Sequence, residues 1–253
     1  MISRNQIERI VFALLMIAVI LLIHIFHLTL GVRPIDDIVE VYRFGSKSTP
    51  VVTLIGSVHG NERAGTMALE KLIEEKGDKL NEFPGTLIII PKPNPTGIKN
   101  DVRHAIDPVF GQIDINRTYK CEEPNCPQIT SLIKSVVGRS DLVVEFHEAY
   151  DFHQMNKSSL GSCIIPTHHN LTFDTSDLIV KNLNANITEP LKKFITLNRN
   201  SCEIPTSLSC YCETNNIPYI LVEITGQLEK QPIEKRMTQV RTITDTVINV
   251  NSL

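Results

Sequence analysis

Val51-Val-Thr-Leu-Ile-Gly-Ser-Val-His-Gly-Asn-Glu-Arg-Ala-Gly65 joins an apolar run to a short polar turn and then to a helical pattern. The run Val51–Ser57 is rich in β-branched residues and reads as a strand. Ala64–Glu75 follows, with Met67, Ala68, Leu72 and Ile73 at helical spacing. His59 and Glu62 stand between the two, in one tight loop. Such a loop offers a divalent metal one imidazole nitrogen and one carboxylate oxygen. A hydrolytic zinc site needs that pair, a third protein ligand and an open position for water.

The same alternation continues on both sides. Ile38–Tyr42 reads as a strand that reaches Val51 through the turn-like segment Gly45–Pro50. Thr86–Ile90, Leu142–Phe146 and Tyr219–Glu223 are short apolar runs, as expected of strands buried on both faces. Gln128–Val137 and Asp174–Ile195 read as helices, the second bending before Pro190. Ile233–Val247 places Ile233, Met237, Val240, Ile243 and Val247 on one face of a last helix. Asn94–Ile113 reads as loop. Strands alternating with helices predict an α/β fold, a three-layer α/β/α sandwich around a mainly parallel or mixed sheet. Ligands in such folds bind beyond the carboxyl ends of the strands. His59 follows one predicted strand, His147 follows another, and Glu223 ends a third.

The chain has 253 residues, suiting one domain with an extra element in front of it. Its net charge of −3 gives no electrostatic case for nucleic-acid binding. The front element is residues 10–30, apolar and about long enough for one transmembrane helix. The predicted organisation is a short tail over 1–9, a signal anchor over 10–30 and a hydrolase domain over 31–253. A cleaved signal peptide is the competing reading, but no small-residue cleavage site follows the span. Arg4 and Arg9 precede the span and Arg33 follows it, which favours a cytoplasmic N-terminus and an extracytoplasmic or lumenal domain. All six cysteines lie in that domain and permit three disulfides, with Cys121 and Cys126, which flank a short Pro-containing loop, the best local pair. Cys210 and Cys212 are too near each other to bridge, so each is expected to pair elsewhere. One glycosylation sequon, Asn116-Arg-Thr118, falls among the candidate site residues, where a glycan would block access.

His147, in Val-Val-Glu-Phe-His-Glu, is the natural third ligand and completes a His, Glu, His set with His59 and Glu62. Alone, it would read as a hydrogen-bonded core histidine. Its neighbour Glu148 reads as a supporting residue. In Asp114-Ile-Asn-Arg117 an extended backbone would put Asp114 and Asn116 on one side. Asp114 then suits the free ring N–H of a ligating histidine. Arg117 offers a planar fork for a carboxylate, and Asn116 adds a donor.

His59-Gly-Asn-Glu62-Arg-Ala-Gly65, Asn94-Pro-Thr-Gly97, Arg103, Asp114-Ile-Asn-Arg117, His147 and Glu223 occur in this order. The set resembles the zinc carboxypeptidase superfamily. Its H-G-N-E-x-x-G form and compact length resemble the succinylglutamate desuccinylase/aspartoacylase branch, over roughly Val51 to Gly226. The resemblance implies one zinc ion on His59, Glu62 and His147, with Asp114 behind the first histidine. It implies Glu223 as general base and acid, and Arg103 as the group polarising the scissile carbonyl. Asn116 and Arg117 would grip a substrate carboxylate, and Tyr211, or less suitably Tyr219, would be a mobile tyrosine. The expected activity is zinc-dependent hydrolysis of an amide in a small molecule or short peptide bearing a carboxylate, as in an N-acyl amino acid deacylase. The alternatives are a carboxypeptidase or peptidoglycan-type amidase acting on short peptides, and a zinc-binding pseudoenzyme or receptor.

Overall fold

The computed structural model describes Phe12, residues 14–19, Val39–Ser46 and Ser48–Ser252. It divides into two units, Met1–Ile38 and Val39–Leu253. No helix among the described residues is long and apolar enough to cross a membrane. The expected span over 10–30 falls mostly outside the described residues, as does the tail over 1–9.

The second unit is built on a seven-stranded mixed sheet. Its strands are β1 (Tyr42–Phe44), β2 (Val51–Ile55), β3 (Thr86–Ile90), β6 (Leu142–Ala149), β7 (Cys163–Pro166), β8 (Ile195–Thr196) and β9 (Tyr219–Thr225). Their order across the sheet is β1-β3-β2-β6-β9-β7-β8. The central four, β3, β2, β6 and β9, are parallel. β1 pairs antiparallel with β3, and β7 pairs antiparallel with β9. A separate hairpin joins β4 (Ala105–Asp107) to β5 (Gly111–Ile113).

The helices are α1 (Arg63–Leu80), α2 (Pro95–Asn100), α3 (Gln128–Val137), α4 (Asn170–Asn184), α5 (Leu208–Thr214) and α6 (Ile233–Val250). They lie on both sides of the sheet. α1 and α4 each pack against α6 over one face. There Leu69, Leu72, Ile179, Val240, Ile243 and Val247 meet Leu142, Val144, Phe146, Ile220, Val222 and Ile224. Burying these side chains is the main favourable term for the fold.

Period 2 along a strand then fixes what faces the other way. On β6 the opposite face carries Val143, Glu145 and His147, and on β9 it carries Tyr219, Leu221 and Glu223. The parallel register sets His147 against Glu223, and Glu145 against Leu221. Hydrophobic alternation on the core face therefore places the polar groups together on the other.

Several elements differ from the sequence expectation. β6 runs on to Ala149, so His147 sits inside the strand instead of after it. β1 covers Tyr42–Phe44, and the described residues 39–41 before it are not strand. The expected loop 94–113 contains α2 and the β4–β5 hairpin. Asn94 caps α2 by accepting from Gly97 N, and Pro95 starts the helix with its φ already set. α4 stops at Asn184 because that side chain bonds both the N–H and the carbonyl of Phe194, turning the chain into β8. Two disulfides form, Cys121–Cys126 and Cys202–Cys210. Cys163 and Cys212 are buried free thiols, so the expected pairing of Cys212 does not occur.

Candidate active site

Three loops and two strands meet at the carboxyl ends of β2, β6 and β9. The first loop carries His59 and Glu62, and its glycine is there for close approach: a Cβ on Gly60 would fall 1.9 Å from the Gly97 carbonyl carbon. Asn94 ties the two segments, donating to Val58 O at 2.8 Å and to Arg103 O at 3.1 Å. The H-G-N-E and N-P-T-G motifs are thus two halves of one packed junction.

That junction brings His59, Glu62 and His147 together, each at most 3% exposed. His59 Nδ1 lies 2.9 Å from Glu62 Oε1 and 3.2 Å from His147 Nδ1. His147 Nδ1 lies 3.2 Å from Glu62 Oε2. Candidate ligand atoms of the three residues all lie within 4.8 Å of one another. Two imidazoles and a carboxylate that converge in this way fit a divalent cation by donor chemistry and by spacing.

The outward ring nitrogens are also held. His59 Nε2 is 3.2 Å from Asp114 Oδ1. Asp114 Oδ2 in turn accepts from Arg103 Nε at 3.0 Å. His147 Nε2 is 3.3 Å from Glu145 Oε2, an ion-pair distance without hydrogen-bond alignment. Glu145 is fully buried and accepts from Tyr219 Oη. Glu145 stands two residues before His147 on one strand face, so alternation alone would have found it. Gln227 carries no such signal. Its Nε2 donates to Glu62 Oε1 at 3.1 Å and to the Glu148 carbonyl. The two residues after it, Leu228 and Glu229, are left-handed, with φ of 58° and 54°. Such strain is costly for non-glycine residues and gathers at functional sites.

Electrostatics follow the crowding. Burial opposes charge on Glu62, yet hydrogen bonds from His147 and His59 hold its carboxyl well below the usual range. Asp114 is likewise low despite burial, through His59 and Arg103. Burial disfavours the His147 imidazolium, but Glu145 and Glu62 raise it well above its ordinary value. A positive centre between these carboxylates is what a bound cation would supply. Burial pushes Glu223 up to about 7, with His147 pulling down and Glu62 repelling. A carboxyl at that value is suited to exchange protons near neutrality.

His59, Glu62 and His147 line a cavity of about 400 Å³. Arg103, Asn116, Arg117 and Glu223 share its wall with the three ligand candidates. Arg103 Nη1 is 3.6 Å from Glu62 Oε1, so its guanidinium is turned towards the candidate metal site. The segment after Asp114 is a 3₁₀ turn over Ile115–Arg117, not the extended stretch expected, because Asp114 Oδ1 accepts from Asn116 N. Asn116 reaches the cavity nonetheless. Its Oδ1 accepts from Leu208 N at 3.0 Å, which fixes the amide and leaves Nδ2 as the donor presented. Tyr211 is not on the cavity wall. It sits beside Tyr119, with Lys134 Nζ 5.2 Å from its ring centroid. Tyr150, 41% exposed, is a tyrosine that does line the cavity. Glu148 faces the other way, into the core. It accepts from Ala64 N and from Arg236 Nη1, both at 2.6 Å, and so clamps the start of α1 to α6.

Residues 48–194 match the sequence model of the succinylglutamate desuccinylase/aspartoacylase catalytic domain. No curated protein sequence matches the chain. Among solved structures, the cell shape determinant Csd4 of Helicobacter pylori superposes with a TM-score of 0.68 at 16% identity, over 84% of this chain and 55% of that one. A succinylglutamate desuccinylase/aspartoacylase from Rhodobacter sphaeroides gives 0.59 at 20% identity, over 83% and 57%. A metallopeptidase-like protein of Shewanella baltica gives 0.60 at 15% identity, over 84% and 81%. The chain thus spans little more than half the length of the first two. At these identities the likeness concerns the fold.

Proposed function

Because the chain belongs to the succinylglutamate desuccinylase/aspartoacylase catalytic-domain family, a family of amide-bond hydrolases, we propose that it is a zinc-dependent hydrolase of an amide in a small carboxylate-bearing substrate. One observation carries the reading. The converging donors of His59, Glu62 and His147 share a cavity wall with a carboxyl, Glu223, whose register on β9 places it beside His147.

A zinc ion on His59, Glu62 and His147 would supply Lewis-acid polarisation and a water of lowered pKa. The chain's own groups do the rest. Asn116 Nδ2 and the fork of Arg117 hold the substrate carboxylate and so orient the scissile carbonyl. Arg103, braced by Asp114, faces the developing oxyanion. Glu223 takes the proton of the attacking water and returns it to the leaving amine. Asp114 and Glu145 hold the two histidine rings from behind.

The test is direct. Glu223→Gln should keep its metal and lose turnover by several orders of magnitude on N-acyl amino acids. Near-native turnover in that variant would overturn the assignment of the base. A short-peptide reading stands second. Csd4 structures carry a tripeptide and mDAP, and that protein is described as a D,L-carboxypeptidase. Parallel assay on N-acyl amino acids and on short peptides ranks the two. Stoichiometric zinc without hydrolysis of either set would favour a receptor. The apolar stretch 10–30 and the two disulfides support a membrane anchor with the domain on the extracytoplasmic side. Protease protection in intact vesicles tests that placement.

A further inference from the structure

The cavity has two flanks. Arg103, Asn116 and Arg117 come from the excursion after β3, on one side of the central strands. The other flank is the segment that leaves β8, at the far edge of the sheet beyond β9 and β7. It presents Arg199 and Glu203 to the cavity. Arg199 Nε donates to Glu203 Oε2, and its terminal nitrogens have no partner among the described residues. This wall is a built structure. The Cys202–Cys210 disulfide closes it. Leu208 N anchors it to Asn116, and Ser201 Oγ anchors it to Glu213.

Arg199 and Glu203 form an opposite-charge pair on the wall of a site that must hold an acyl group. If Asn116 and Arg117 take the carboxylate of the leaving amine, the acyl group extends towards this second flank. A purely anionic acyl group would meet Glu203, and a purely cationic one would meet Arg199. A group carrying both charges satisfies each. The present ion pair is partly solvent-exposed and therefore screened, so opening it costs little. The guanidinium fork suits a carboxylate, and the Glu203 carboxylate suits an ammonium.

We propose that Arg199 and Glu203 form a recognition site for a zwitterionic amino-acid head on the acyl side of the scissile amide. The inference rests on the hydrolase reading above and narrows its substrate class. Arg199 takes the head's carboxylate and Glu203 its ammonium. Arg199, Glu203 and Glu223 line the same cavity, which sets the pair and the reacting centre on one continuous surface. Selectivity here comes as much from rejection of a single charge as from attraction of two.

Four amides sharing an alanine leaving group test this. They are γ-glutamyl-alanine, glutaryl-alanine without the ammonium, 4-aminobutanoyl-alanine without the carboxylate, and butanoyl-alanine without either. The expected result is a kcat/KM for γ-glutamyl-alanine at least tenfold above each of the others. Arg199→Glu and Glu203→Arg should each abolish that preference, and the double exchange R199E/E203R should restore it. Calorimetric binding of the same four compounds to the Glu223→Gln protein reads the preference without turnover. Equal or better handling of glutaryl-alanine, or a double exchange that fails to recover while remaining folded, overturns the proposal. Cleavage of all four amides without preference removes this inference and leaves the hydrolase reading intact. Absence of any amide cleavage removes the hydrolase reading, and the binding measurement still decides this one.

Discussion

Glu223 shows how a single side chain stores a pH dependence. Its folded value of about 7 lies above the ordinary glutamate value of 4.5, chiefly through burial. The folded state therefore binds more protons than the unfolded chain between those values. The sign is that of a raised group: its contribution is fully present below the unfolded pKa and is lost as pH rises through the folded one. In metal-free protein, Glu223→Gln should accordingly gain stability over the parent at pH 8, on the order of 3 kcal/mol at most. The gain should fade by pH 4. Urea denaturation at the two pH values measures it, and a gain that persisted at pH 4 would contradict the burial account. The acid limb of kcat/KM should likewise lie above the ordinary glutamate range, because protonated Glu223 cannot accept a proton. Glu145 differs, since it contacts His147 and does not line the cavity. Glu145→Gln should weaken zinc binding roughly 10- to 100-fold, the range for losing a carboxylate behind a ligating histidine. Competition with a chromogenic chelator reads that affinity, and an unchanged value would make Glu145 a packing residue only.

Among the elements, the clamp between α1 and α6 is the most exposed to a single substitution. Glu148 is 2% exposed and bonds Ala64 N at the start of α1, where a negative charge meets the positive end of the helix dipole. Arg236, 4% exposed on α6, is its counter-ion. A Cβ on Gly226 would fall 1.8 Å from Glu148 Oε2, so any side chain there would displace the clamped carboxylate. Arg236→Met leaves that charge buried without its cation and should cost about 3–5 kcal/mol. Burial already raises Glu148, so the loss should shrink as pH falls and the carboxyl protonates. Replacing Glu148 and Arg236 together with apolar residues should recover much of it. Denaturation of the three variants tests the coupling, and additive losses would show that the two residues act independently. Because Glu62 lies one residue before α1, the clamp also sets the angle at which that carboxylate enters the site.

At the scale of the molecule, the proposed metal site would couple cation binding to folding. Its donors come from the β2–α1 loop and from β6, two parts of the chain more than 80 residues apart. A cation that binds only their folded arrangement stabilises the whole domain by mass action, about 2.7 kcal/mol at a free concentration one hundred times Kd. Adding zinc to chelator-treated protein should raise the melting temperature, and His147→Ala should remove the increment. An equal increment in that variant would place the ion elsewhere. The sequence by itself determined the alternation of strands and helices, the β2 loop with His59 and Glu62, and the order of the remaining polar motifs. These are local properties, written in periodicity and in turn residues. It also marked His147 and Glu223 as strand-associated, since apolar runs of five or so residues announce buried strands. What only the tertiary structure decided is pairing. The parallel register of β6 with β9 sets His147 against Glu223, and the Gly60–Gly97 contact locks two motifs together. Placement of Gln227 on Glu62, exclusion of Tyr211 from the cavity and arrival of Arg199 and Glu203 on its far wall depend on the same long-range packing. None of these has a short-range cause. Each follows from which strands lie side by side, and sequence spacing does not encode that.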